Sequence, residues 1–262
     1  KNIRHIIYLW RMVKFQFIKD FIYHRITSKT RHGVHSPFVY KLIDEVIYDL
    51  RSKDEYKNIE DLRKKLILDD RIITITDLGA GSHMNNNKQK AVSQIAENAL
   101  KPRKLAQLIY RLAKIMRPSN MIELGTCLGI TTAYLSKAAP DASVITMEGC
   151  PETAKIAQEN FNELELNNIH MEVGNFDDNF PKIIAQYPKL DFVFIDGNHR
   201  KEATLNYFNW SLPKVHENSL LIFDDIYWSK GMKEAWEEIK NHPDVTCTVD
   251  LFWIGLVFFR KG

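Results

Sequence analysis

From residue 102 onward, the apolar positions follow two alternating periods. Pro102 opens a stretch whose Leu105, Leu108, Ile109, Leu112, Ile115 and Met116 fall on one helical stripe, and Arg117-Pro118 ends it. Short apolar runs then appear at Met121–Leu124, Ala142–Met147, His170–Val173, Leu190–Ile195 and Ser219–Phe223, each followed at once by glycine or an acid. Helical patterns lie between them, beginning at Thr131 and spanning residues 151–166. Strand and helix in alternation predict an α/β fold, a parallel sheet covered on both faces.

Upstream the pattern is weaker. Ser36-Pro37 reads as a cap and first helical residue, opening a helix through about Leu50. Residues 51–70 are highly charged at helical spacing and predict a solvated connecting helix, and Ala91–Leu100 predicts another. Between these two, Asp77-Leu78-Gly79-Ala80-Gly81-Ser82 has the glycines of a nucleotide-binding turn but not the helix, strand and acid that should follow. It is expected to be a flexible loop, a lid beside a site. The expected division is a helical N-terminal extension with this loop over 1–87, and the main domain over 88–262.

Composition narrows the field. A net charge of +3 over 262 residues makes no general call for nucleic acid. Cys127, Cys150 and Cys247 are scattered without metal or disulfide spacing, which fits a reducing, cytoplasmic compartment. No secretory pattern and no long uncharged apolar run is present, so neither a signal peptide nor a membrane span is expected. In residues 1–32, Lys1, Arg4, Arg11, Lys14, Lys19, Arg25, Lys29 and Arg31 face one acid, Asp20, and are interleaved with large apolar residues. Such a basic helix is expected to cover the main domain or a second copy in a homodimer, with peripheral membrane contact as the alternative. His32 and His35 read as loop and cap residues.

The candidate chemistry starts at Glu123-Leu124-Gly125-Thr126-Cys127-Leu128-Gly129-Ile130-Thr131, a strand end, a glycine turn and a helix start. The spacing is E-x-G-x-x-x-G, not the G-x-G-x-x-G that lays a pyrophosphate on helix amides, which argues against a dehydrogenase. A carboxylate beside the turn suits a cationic ligand such as the sulfonium cofactor S-adenosylmethionine. Glu148, ending the next strand about 20 residues after the glycines, is placed to accept a ribose's hydroxyls. Asn175 and Phe176, after the third strand, are candidates for contact with adenine.

Asp196, Asp224 and Asp225 end the fourth and fifth strands. Three carboxylates on neighbouring strand ends repel one another unless compensated, and oxygen ligands of this kind suit Mg²⁺ or a similar divalent ion. Such an ion can bind a substrate hydroxyl and lower its pKa. His199, three residues after Asp196, is the candidate base, since imidazoles ordinarily titrate near neutrality.

These residues carry a resemblance. Residues 102–262 resemble the class I S-adenosylmethionine-dependent methyltransferases, closest in motif to the metal-dependent catechol and caffeoyl-CoA O-methyltransferase group. The resemblance implies a Rossmann-like, doubly wound, seven-stranded and mostly parallel sheet. Val245–Trp253 and Leu256–Arg260, turning at Ile254-Gly255, would form its final antiparallel hairpin. It implies cofactor binding by Glu123, Gly125, Thr126, Gly129, Thr131, Glu148, Asn175, Phe176 and Asp196, and metal binding by Asp196, Asp224 and Asp225. Asp225 replaces the group's usual Asn, and His199 stands where the group has a catalytic Lys. An Asp-x-x-His pairing also resembles the metal-dependent macrolide-sugar O-methyltransferases. Asp196-Gly197-Asn198-His199 is not an Asn/Asp-Pro-Pro-Tyr motif, which by resemblance argues against amino-methylation of adenine or glutamine. The expected function is divalent-metal-assisted O-methylation of a small-molecule acceptor. Its rivals are metal-free methylation of a nitrogen or carboxylate, and a non-catalytic cofactor-binding module attached to a membrane or partner through residues 1–32.

Overall fold

The computed structural model describes residues 16–29, 33, 36–76 and 89–260. His32, His35 and the Asp77–Ser82 loop lie outside the described residues. In chain order the elements begin with helix α1 over residues 16–27, α2 (Pro37–Leu42) with a π turn over Ile43–Ile47, and α3 (Glu55–Ile67). A ribbon of β1 (Ile72–Thr74) and β2 (Gln89–Ala91) leads into α4 (Val92–Ala99) and α5 (Arg103–Met116). Then come β3 (Asn120–Leu124), α6 (Ile130–Ala138), β4 (Ser143–Glu148), α7 (Pro151–Glu163), β5 (Ile169–Val173) and α8 (Phe176–Ala185). The chain continues with β6 (Phe192–Ile195), α9 (Lys201–Ser211), β7 (Leu220–Asp224), α10 (Lys230–Lys240), β8 (Cys247–Asp250) and β9 (Ile254–Phe258).

The main sheet has seven strands in the order β5-β4-β3-β6-β7-β9-β8. The first five in that order run parallel, while β9 is antiparallel to both β7 and β8. This is the Rossmann-like sheet with a terminal hairpin that the family resemblance implies. Successive strand residues feed opposite faces: Met121, Phe192, Phe194, Leu220 and Ile222 join one core, and Ile122, Val193, Ile195, Leu221 and Phe223 the other. Both faces are covered, so the central strands are apolar without alternation.

The structure departs from the sequence reading in three places. Residues 51–70 do not form a solvated connector, because α3 buries Tyr56, Ile59, Leu62 and Leu66 in the core shared with α5 and α6. Tyr56, Tyr110 and Tyr134 meet edge-on there, with ring centroids 5.0, 5.5 and 6.2 Å apart. The many charges of α3 mask this stripe in the sequence. The hairpin turns at residues 251–253 rather than at Ile254-Gly255, which lie within β9. Gly255 serves packing instead of a turn: a Cβ there would lie 2.5 Å from the Trp236 ring. The β1–β2 ribbon, three residues a side, is too short to stand out as a pattern.

Helix α1 lies across the hairpin turn. Phe17 and Phe21 meet Phe252 at centroid distances of 5.1 and 5.0 Å, and His24 Nε2 lies 2.9 Å from Asp250 Oδ1. Lys233 Nζ binds Asp20 Oδ2 at 2.5 Å. Its other side exposes Ile18, Ile22, Tyr23 and Ile26. Among the described residues, no helix is long and apolar enough to cross a membrane.

If α3 belongs to the core, Ile59→Ala should lower the free energy of unfolding by roughly 2–5 kcal/mol. Leu68→Ala, at a site that is 79 % exposed, should change it by no more than about 0.5 kcal/mol. Urea denaturation of the two variants makes the comparison.

Candidate active site at the carboxyl edge of the sheet

Register gathers the site. Leu124 pairs with Met147 on one side and Ile195 on the other, and Ile195 pairs with Phe223. The next residue on each strand is therefore at one level: Gly125, Glu148, Asp196 and Asp224. Gly125, at φ +107°, is forced by this crowding, since a Cβ would lie 2.0 Å from the Asp196 carbonyl oxygen.

A cavity of about 1180 Å³ opens over this edge. Its walls include Gly125, Glu148, Asn175, Phe176, Asp196, His199 and Asp225 from the sequence reading. Glu148 accepts from Cys127 N at 2.7 Å through Oε2 and from Cys150 N at 2.9 Å through Oε1. Each carboxylate oxygen has a further lone pair with which to accept from a ligand. Burial raises the pKa of this carboxyl, against the pull of those two amides. Asn175 caps α8, accepting from Asp177 N at 3.0 Å, and the Phe176 ring lies against Gly197.

Four of the expected cofactor residues sit beneath the cavity instead of on its wall. Glu123 is fully buried, with Oε2 accepting from Thr132 Oγ1 and, at 2.6 Å, from Thr146 Oγ1. Its Oε1 has no partner among the described residues, and burial pushes its carboxyl up to about 7. Thr126 Oγ1 lies 2.6 Å from Thr146 Oγ1, Gly129 packs on Phe161, and Thr131 is buried on α6. These four shape the turn from behind. The carboxylate that the sequence reading aimed at the ligand points into the protein, where Thr132 of α6 and Thr146 of β4 donate to it.

At the other end of the cavity, Asp196, His199 and Asp224 offer ligand atoms that all lie within 4.8 Å of one another. Asp225 is not in that set; its Oδ2 lies 4.0 Å from His199 Nε2, and His199 Nε2 lies 3.8 Å from Asp196 Oδ1. Non-glycine residues hold positive φ here: Asn198 at 64°, His199 at 24° and Asp225 at 53°. Backbone of this kind costs of order 1–3 kcal/mol per residue and gathers at functional sites. Asn198 is braced by Tyr207, donating to its hydroxyl at 3.1 Å, and that hydroxyl donates to Asp177 Oδ1 at 2.7 Å.

Lys101, absent from the sequence reading, enters this group. Its Nζ lies 2.9 Å from Asp196 Oδ1 and also bonds Asp224 Oδ2, a carboxylate whose side chain is only 1 % exposed. Burial alone would favour loss of its proton, but Asp196 and Asp224 outweigh that and hold its pKa above the ordinary lysine value. By donor type, two carboxylates and an imidazole suit a hard divalent ion.

Residues 122–226 match a family model described as a methyltransferase domain. This central part of the chain is similar to methyltransferase domains. The chain is 29% identical over 123 residues to a catechol O-methyltransferase of Niastella koreensis, covering 46% of this chain and 55% of that protein. It is 32% identical over 108 residues to the catechol O-methyltransferase of Sus scrofa, covering 39% and 56%. The matches thus span just over half the length of these relatives. Among solved structures, the SAH-bound methyltransferase PaMTH1 of Podospora anserina superposes with a TM-score of 0.60 at 10% identity, covering 89% of this chain and 99% of that one. At that identity the likeness concerns the fold.

The raised pKa of Glu123 gives the methyltransferase domain a pH signature. With its folded value near 7 above its unfolded value, Glu123 binds more protons in the folded state. Its contribution to stability is full below the unfolded value and is lost as pH rises through the folded one. Relative to Glu123→Gln, the natural protein should lose on the order of 3 kcal/mol of stability between about pH 4 and pH 8. Denaturation of both proteins across that range measures the difference.

Proposed function

We propose that this chain methylates a hydroxyl of a small-molecule acceptor, using S-adenosylmethionine as donor and a divalent ion at the paired aspartates. One observation carries the reading: Glu148, able to accept a ribose's hydroxyls, faces the same cavity as Asp196 and His199. The catechol O-methyltransferases named above add support. When bound, S-adenosylmethionine supplies an activated methyl group, and the ion supplies positive charge that lowers the acceptor's pKa.

The chain's own residues do the rest. Glu148 anchors the cofactor's ribose, Gly125 leaves room beside it, and Phe176 offers an aromatic face. Glu123, Thr126, Gly129 and Thr131 keep the turn in shape from below. Asp196 and Asp224 would hold the ion. His199 Nε2 is placed to take the acceptor's hydroxyl proton; the methyl group that S-adenosylmethionine supplies would then pass to that oxygen, with S-adenosylhomocysteine as the leaving group. Asp225 Oδ2 lies 4.0 Å from that nitrogen. Metal-free transfer to a nitrogen or a carboxylate is a second reading, favoured by the contact of Lys101 with both aspartates.

Glu148→Ala should weaken binding of S-adenosylhomocysteine by roughly 1–3 kcal/mol through lost charged hydrogen bonds. Isothermal calorimetry reads this, and an unchanged affinity removes Glu148 from the cofactor site. Incubating the protein with labelled donor and Mg²⁺ against panels of phenols, amines and carboxylic acids tests the acceptor class. Ether products are expected, and label only in amines or esters overturns the proposal.

A further inference from the structure

The paired aspartates already hold a cation from the chain itself. Lys101 Nζ sits between Asp196 and Asp224, and among the described residues it is the hydrogen-bond donor to the Asp224 side chain. We propose that Lys101 is a tethered competitor for the divalent-ion seat, so that an ion binds Asp196 and Asp224 only after the lysine side chain has swung away. This rests on reading those aspartates as the ion's ligands.

Three features support it. The carboxylate oxygens that an ion would need are engaged by the ammonium, and two cations cannot share one position. The competitor is delivered by a fixed backbone. Lys101 lies between α4 and α5, both anchored by buried residues, and Pro102 behind it favours extended backbone at residue 101. The side chain nevertheless has somewhere to go, since Lys101 lines the large cavity and its four-carbon stem can rotate into it. Exchange therefore needs a change of rotamer, with the two helices left in place. Without the lysine or an ion, Asp224 would be a buried carboxylate without a counter-charge, so the tether protects the empty seat.

Mn²⁺ binding, followed by the loss of the free-ion paramagnetic resonance signal, separates the outcomes without any turnover. Lys101→Met keeps the length and removes the charge. It should bind Mn²⁺ about tenfold more tightly or better, as expected if the lysine is seated at least nine-tenths of the time. Equal affinity in both proteins, or weaker binding in the variant, overturns the proposal. Should Lys101→Met fail to fold, the natural protein still gives an answer. Reductive methylation of Lys101 Nζ, read by peptide mass spectrometry, should rise as Mn²⁺ is added, and constant protection overturns the proposal. If neither protein binds Mn²⁺, the competitor idea falls with the ion seat. Calorimetry with S-adenosylhomocysteine on the same samples then shows whether the methyltransferase reading survives.

Discussion

Everything at this site follows from strands that run parallel and in register. Because β3, β4, β6 and β7 end at one level, whatever follows each strand is brought to one edge, and here three of the four residues are carboxylates. Like charges so placed cannot all be ionised and unpartnered in a partly desolvated edge. The chain deals with them individually: backbone amides for Glu148 and an ammonium for Asp196 and Asp224. Positive-φ turns then set His199 and Asp225 beside that pair. The electrostatic problem and the chemistry of the site are thus one arrangement.

The sheet was legible in the sequence because burial on both faces leaves β6 and most of β7 as uninterrupted apolar runs, and because its parallel strands are bounded by glycine or acid. The acids that end the strands were legible for the same reason. Contacts between distant segments left no such trace. Lys101 reaches Asp224 across 123 positions, and nothing local distinguishes it from any other lysine before a proline. The signal that did exist was charge imbalance: a cluster of acids predicts some cation, without saying whether it is an ion or a side chain. Glu123 shows the converse. Its type suggested a ligand contact, yet Thr132 on α6 and Thr146 on β4 take it inward, partners that only the packed fold brings together.

Helices that cover a sheet are harder to read when their exposed side is rich in charge. In α3 a buried stripe of Tyr56, Ile59, Leu62 and Leu66 coexists with enough Lys, Arg, Asp and Glu to resemble a linker. Helix α1 is the same problem on a smaller scale, with Phe17 and Phe21 toward the hairpin turn and Ile18, Ile22, Tyr23 and Ile26 toward solvent. It braces Phe252 and Asp250 in the hairpin turn, where the Trp253 carbonyl accepts from Asp225 N at 2.8 Å.

The sheet order also bears on synthesis. Strand β7 carries Asp224 and lies well inside the sheet, but its second neighbour, β9, is supplied only by residues 254–258. Until that segment has been synthesised, a nascent chain presents β7 as a bare margin, apolar from Leu220 to Phe223, the type of surface that recruits stray strands. Cotranslational assembly therefore completes this flank after the five parallel strands, and a truncated product lacking β8 and β9 would be prone to aggregate.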